Sequence, residues 1–465
     1  MSVAAQEMLR WCQVLLNVDG ARPDRSLAEY LAEIPRLESL ADLPSGTCVL
    51  VRGDVDAKPG ATVGEGDIRL RSMRETLQFG RDRGWKQIVF GHKGRKPEES
   101  LAKVAARLGE ILQCDVTLVT DWLDESTMTI RDAVRDQIVG SSAGAILMLE
   151  NARRYEIERS LWKAKAADLP KLAEPLARLA DEFAAKVATV YVHEALSAGS
   201  LDASSTVVPA AMRRVALGAY EAAEFAGPMM RCLATQLVVF SGLKADKLDD
   251  LEAMIGRGTV KTVFAAGSLA MALKKAAAVL DGSRFSLGIA EDPAHADKPY
   301  YIPPARIEQA KRMIATGRQK GIEFILPIDF VLQDGRVCTT ISSGDQQLDV
   351  GPATSALFEQ KIGEFIAASQ GRQAVAFHNG VFGKFEDPQF AEGTRRFIPQ
   401  LQRLKTAGFE VYVGGGEGGT ALEQFGALDD VTHCFTAGGT VLNALGNEPV
   451  PYLVALAMAA DRAKP

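Results

Sequence analysis

No CxxC pair occurs among the six cysteines of this 465-residue chain, so neither a zinc ribbon nor a disulfide framework is written into it. Cys12, Cys48, Cys114, Cys232, Cys338 and Cys434 are scattered, several of them in apolar strand-like runs, and read as reduced core residues. Histidine is scarcer still, with five residues and no pair at metal-ligand spacing. Positive charge is not in excess: 53 Lys and Arg stand against 59 Asp and Glu, a net charge of −6, which excludes a global basic field for nucleic acid or an anionic membrane. No apolar run approaches the roughly 20 residues that span a bilayer, and the first residues lack a basic start followed by a clean apolar stretch. The expected location is the cytoplasm, with neither nucleic acid nor membrane as partner. GxxxxGK[ST] is absent, which excludes a P-loop enzyme, and no GxGxxG joins a strand to a helix ahead of a suitable acid, which argues against a dehydrogenase.

What is present is ordinary globular composition, 47% hydrophobic and 24% charged, long enough for two to four domains. The runs CVLVRGDV (48–55), QIVFGH (87–92), DVTLV (115–119), AILMLEN (145–151) and TVYVHEA (189–195) read as strands. Amphipathic segments such as 68–84, 98–113 and 163–187 separate them. A second series follows: LVVFSG (237–242), TVFAAG (262–267), FILPIDFVL (324–332), AVAFHNG (374–380), EVYVGGG (410–416) and HCFTAGG (433–439). Strand and helix alternate in both halves, so the fold class is α/β, with two doubly wound parallel-sheet domains facing a cleft. The predicted division is 1–208 for the first domain, 209–228 for a connecting helix and 229–465 for the second domain. About 45 residues form an extension ahead of the first strand. The C-terminal PVPYLVALAMAADRAKP reads as a packing helix, with the first domain as one place for it to pack.

Ligands of open α/β sheets bind beyond the carboxyl ends of the strands. In the first half those ends carry charge: Arg52, Asp54 and Asp56; then His92, Lys93 and Arg95; then Glu150, Asn151, Arg153 and Arg154. Guanidinium groups bind carboxylate and phosphate bidentately, so this half suits a small, multiply anionic ligand. In the second half the ends are glycine: FSGLKADK, FAAGS, FHNGVFGKFE, YVGGGEGGT and FTAGGT. Glycine admits close backbone approach, and a following helix N-terminus offers free N–H groups, the makings of a nucleotide site. Together the halves suggest a phosphotransferase with two substrates. A carboxylate acceptor is already ionised at neutral pH, which fits the absence of an obvious general base.

The order of these motifs, from about residue 45 to residue 450, resembles the phosphoglycerate kinase family. VRGDVD resembles the family's RVDFN, GHKGRKPEESLAKVAARL its SHLGRPKxxxSLxPVAxxL, LENARRY its LENLRF, and SGLKADKLDDL its GGAKVxDKIxxL. FHNGVFGKFEDPQFAEGT resembles WNGPMGVFExxxFAxGT, and GGGEGGTALEQFG resembles GGGDTxAAxEKFG. The resemblance implies that Arg52, Asp54, Asp56, His92, Arg95 and Arg153 bind the phosphoglycerate and that Arg69 reaches the transferring phosphoryl group. Lys244 and Lys247 would contact nucleotide phosphates, Lys244 as a catalytic cation beside Gly242. Asn379, Gly380, Val381 and Glu386 would line the nucleoside site. Gly414, Gly415, Gly416 and Gly418, with Gly438 and Gly439 opposite, would cradle phosphates, and Glu417 takes the place of the magnesium-binding Asp. Two readings stay open for Asp54, direct contact or orientation of neighbouring arginines, and two for Glu417, metal ligand or helix-start acid.

The chain departs from the family at several places. An arginine of the anion pocket is replaced by Leu201 in SLDASS, Asp56 replaces Asn, Gly418 replaces Thr, and the lysine loop is one residue shorter. The resemblance therefore implies a monomeric kinase using ATP or ADP with Mg2+ to make an acyl phosphate, 3-phosphoglycerate being the leading acceptor. Alternatives are a different carboxylate acceptor, or a nucleotide-binding protein without turnover.

Overall fold

The computed structural model describes residues 2–94, 96–242, 247–369, 373–446 and 449–463. The chain divides into two compact units, Met1–Ala226 with Pro449–Pro465, and Gly227–Glu448.

The first unit is built on a six-stranded parallel sheet, ordered Val116–Val119, Ile146–Leu149, Lys86–Phe90, Cys48–Gly53, Val190–Glu194 and Arg214–Leu217. The second repeats the plan in the order Glu323–Ile325, Thr262–Ala265, Leu237–Phe240, Val375–Asn379, Glu410–Gly414 and His433–Cys434. Helices cross over between successive strands, so strands are covered on both faces and read as unbroken apolar runs; Leu237–Phe240 and Ile146–Leu149 are buried throughout. In each sheet the first strand in sequence lies between neighbours that wind away in opposite directions. Those reversals are the topological switch points, and they place 52–54 and 241–242 where a ligand crevice forms.

The predicted connecting helix over 209–228 does not form as one element. Its residues make a short 3-10 turn at Val208–Ala211, the edge strand Arg214–Leu217, the helix Ala219–Glu224 and a π-turn at Phe225–Met229. Helical spacing of the apolar residues was outweighed by the free edge of Val190–Glu194, against which Val215, Ala216 and Leu217 pair in parallel and become buried. FILPIDFVL likewise splits. Glu323–Ile325 joins the main sheet, whereas Phe330–Leu332, beyond Pro327, enters a three-stranded antiparallel sheet with Val337–Cys338 and Gln347–Val350.

The residues ahead of the first strand pack into the first unit. Met8 of the helix Ala5–Leu15 is fully buried, and Trp11 Nε1 donates to the Thr206 carbonyl at 2.8 Å. The helix Pro451–Arg462 joins the same unit, its Tyr452 ring stacked 3.9 Å from His193. All six cysteines are free; Cys12 and Cys232 are buried and the others partly so. No helix among the described residues is long and apolar enough to cross a membrane.

Candidate active site

In the first unit, the strand ends gather a buried cluster of charge. Arg52 closes the first strand and is wholly inaccessible. Its Nε donates to Ser204 Oγ at 2.9 Å, its Nη1 to the Gly53 carbonyl at 2.7 Å, and its Nη2 lies 2.7 Å from His92 Nδ1. Arg153, after the strand Ile146–Leu149, donates from Nη1 to the Gly94 carbonyl at 2.6 Å and stacks over Trp162, 4.6 Å from the ring centre. Asn151 holds this corner. Its side-chain oxygen accepts from the N–H groups of Lys93 and Arg153, and its amide donates to the carbonyls of Lys93 and Glu99.

Asp202, fully buried, joins these groups. Its carboxylate lies 3.1 Å from both Arg153 Nη2 and His92 Nδ1 and 3.7 Å from Arg52 Nη2, and it accepts from Trp162 Nε1 at 2.8 Å. Burial alone would raise its pKa; the His92, Arg153 and Arg52 contacts outweigh that and hold the carboxyl well below the usual range. Burial pushes His92 down, more than the Asp202 contact lifts it, so the ring is neutral at pH 7. Glu158, behind Ser204, accepts from its N–H and its hydroxyl at 2.8 and 2.5 Å; burial, then the nearby Asp202 charge, pushes it up.

The second half of the cluster is more open. Asp54 accepts from Ser197 Oγ at 2.6 Å and lies 3.9 Å from Arg69 Nε. Arg69, which keeps 23% side-chain exposure, donates to Asp56 Oδ2 at 3.0 Å and to the Asp56 carbonyl at 2.7 Å. Asp56 also accepts from the Gly94 N–H at 2.9 Å. Burial raises its pKa, and that hydrogen bond with the neighbouring cations reverses the sign, leaving it lowered. Arg52, Asp54, Asp56, Arg69, His92 and Arg153 are thus brought together, and Arg95 lies outside the described residues.

In the second unit the strand ends surround a cavity of about 450 Å³. Its walls include Gly242, Met271, Leu287, Val381, Phe382 and Glu386, and Glu417 also borders it. Asn379 ties three strand ends together, donating to the Gly414 carbonyl at 2.9 Å and accepting from Lys247 Nζ at 2.8 Å, while Lys247 also donates to the Ser241 carbonyl at 2.7 Å. Gly380 has φ +100°, and a Cβ there would lie 2.2 Å from the Ser241 oxygen, so only glycine fits. Gly415, φ +96°, precedes the helix Gly416–Phe425, whose first turn holds Glu417 and the buried Gly418. A Cβ on Gly438 would lie 2.7 Å from Gly415 Cα, so these turns meet backbone to backbone, and Gly439 opens the next helix. Gly414 packs under Phe377. Lys244 lies outside the described residues.

Sequence reading missed Asp202, Ser204 and Glu158 as members of the first cluster. The available signal was an acid inside the otherwise small and apolar run LDASSTVVPAA, a place where a carboxylate stays only if cations meet it.

The family model described as phosphoglycerate kinase matches residues 40–448. The chain is similar to the cytosolic phosphoglycerate kinase of Triticum aestivum, 28% identical over 430 residues, covering 90% of this chain and 96% of that protein. It is 29% identical over 440 residues to the phosphoglycerate kinase of Chloroherpeton thalassium, covering 89% and 97% of the two. Among solved structures, the phosphoglycerate kinase of Pyrococcus horikoshii OT3 aligns with a TM-score of 0.69 at 20% identity, covering 93% of this chain and all of that one. That of Coxiella burnetii aligns at 0.63 and 22%, covering 91% and 99%. At such identities the structural likeness establishes the fold.

Proposed function

The chain belongs to the phosphoglycerate kinase family, and on that premise we propose that this kinase transfers the γ-phosphoryl group of ATP reversibly to a carboxylate, giving an acyl phosphate. The observation that carries the reading is the second unit's cavity, lined by apolar side chains together with the strand-end Gly242 and Gly267 and Glu417. Met271, Leu287, Val381 and Phe382 suit a nucleoside, with Glu386 within reach of a sugar hydroxyl. The turn Gly414 to Gly416 and the N-terminus of Gly416–Phe425 offer N–H groups to phosphate.

Phosphoryl transfer asks for positioning and for cations on the transferring oxygens rather than covalent work by the protein. Arg69 and Lys244 are the residues proposed for that task. The acceptor carboxylate is ionised at pH 7 and attacks without a base, which agrees with a neutral, buried His92 engaged by Arg52. No group of three His, Cys, Asp or Glu among the described residues could cage a metal. An exposed carboxylate at the cavity fits magnesium arriving on the nucleotide, and Glu417 would hold it. Magnesium would supply charge neutralisation on the phosphates.

Family likeness makes 3-phosphoglycerate, which would give 1,3-bisphosphoglycerate, the first acceptor to test. A second reading keeps the chemistry and changes the acceptor; Asp202 among the cations favours it. The test is hydroxylamine trapping of acyl phosphate formed from Mg-ATP and 3-phosphoglycerate, with Lys244→Ala as control. Product in the wild type that is lost in the control supports the reading. Absence of product with every carboxylate tried overturns it.

A further inference from the structure

The phosphotransfer reading leaves Asp202 unexplained. Arg52 spends its Nε on Ser204, its Nη1 on the Gly53 carbonyl and its Nη2 on His92, with Asp202 beyond. Arg153 spends one nitrogen on the Gly94 carbonyl and another on Asp202. Among the described residues, Arg52, Arg69 and Arg153 are paired with Asp202, Asp54 and Asp56 before any ligand enters. The residue before Asp202 is Leu201, which brings no compensating cation.

A phosphate seeking these guanidinium groups has two routes, and both are unfavourable. Displacing Asp202 would leave a carboxylate buried without its partners, one of the costlier changes a protein interior can suffer. Binding beside it would set like charges against each other where water does not screen them. A carboxylate on an uncharged, hydroxylated body avoids the buried Asp202 corner. It meets the cluster at Arg69, which keeps 23% side-chain exposure beside Asp54 and Asp56.

We propose that Asp202 is a specificity-determining residue, an internal counter-anion that occupies Arg52 and Arg153, so that the first unit takes a carboxylate acceptor with a neutral polar body and rejects one bearing a phosphate group. The acceptor's role in this statement rests on the phosphotransfer reading, whereas the exclusion of phosphate rests on Asp202 alone.

The experiment is calorimetric titration of inorganic phosphate, 3-phosphoglycerate and glycerate into wild type and Asp202→Asn at fixed ionic strength, with Mg-ADP as a control on the second unit. Asp202→Asn is expected to bind phosphate and 3-phosphoglycerate at least about tenfold more tightly than wild type, with glycerate and ADP changed less than about twofold. Equal phosphate affinity in the two proteins overturns the proposal. Should the variant fail to fold, the wild type decides alone: a higher kcat/KM for glycerate than for 3-phosphoglycerate sustains it, and the reverse order overturns it. Failure of the phosphotransfer reading looks different. No carboxylate then yields acyl phosphate, while the gain of phosphate binding in Asp202→Asn persists and sustains the counter-anion.

Discussion

Lys247 donates from Nζ to the Ser241 carbonyl and to Asn379, so its charge is committed within the strand-end turn. Stabilisation of the transferring phosphoryl group then falls, in the proposed mechanism, to Lys244. Lys244→Ala is expected to lower kcat by about 100-fold or more while changing the Kd for ADP less than about threefold, measured by single-turnover kinetics beside titration calorimetry. A second residue-scale outcome concerns pH. Glu194 is wholly buried, accepts from Thr76 Oγ1 at 2.7 Å, and is pushed up to about 8 by burial and then by Glu221. Between 4.5 and about 8 the folded chain therefore holds a proton that the unfolded chain has lost, and stability falls as pH rises through that window. The buried histidines His92, His193 and His378 are pushed down and act in the opposite sense, but only below 6.5, where the unfolded chain becomes charged. Chemical denaturation from about pH 7 to about pH 8.5 should show the decline, and Glu194→Gln should make its slope shallower. Arg52 and Arg153 were legible because strand-end cations follow from the strand pattern, whereas Arg69, on the short helix Ile68–Ser72, came from the family resemblance. Asp202 was not, because a buried acid shows its purpose only when residues 49 and 150 positions away in sequence are brought beside it.

The elements most legible in sequence are the buried parallel strands, since runs such as LVVF and ILML carry their own signal at any position in a doubly wound sheet. Arg214–Leu217 was hidden because its four residues borrow their stability from a neighbour's free edge, a tertiary effect that local spacing does not carry. Turns between strand and helix fall between these cases. Glycine marks them, but which glycine is obligatory depends on what its α-carbon faces. Gly380→Ala sets a methyl group against the Ser241 carbonyl at positive φ. It is expected to cost about 2–3 kcal/mol of unfolding free energy and to weaken ADP binding, read by denaturant titration and calorimetry. Gly256→Ala, at the end of the helix Lys247–Gly256 where nothing lies within 4 Å, is the matched control and should change little.

At the scale of the molecule, the first unit is assembled from both chain ends. Tyr452 is fully buried against His193 and Phe225, its ring centre 3.9 Å from the histidine and 6.3 Å from the phenylalanine. Tyr452→Ala should cost about 3–5 kcal/mol, seen as loss of the first unit's unfolding transition in a calorimetric scan while the second unit's transition is kept. Arg462 adds a hydrogen bond to the Ala210 carbonyl at 2.8 Å, so the last helix is latched at both ends. The second unit, by contrast, is one uninterrupted segment, Gly227–Glu448. In order of synthesis the first unit is therefore completed after the second. Synthesis completes Gly227–Glu448 before it reaches Pro451–Arg462, so the part begun first is the part finished last.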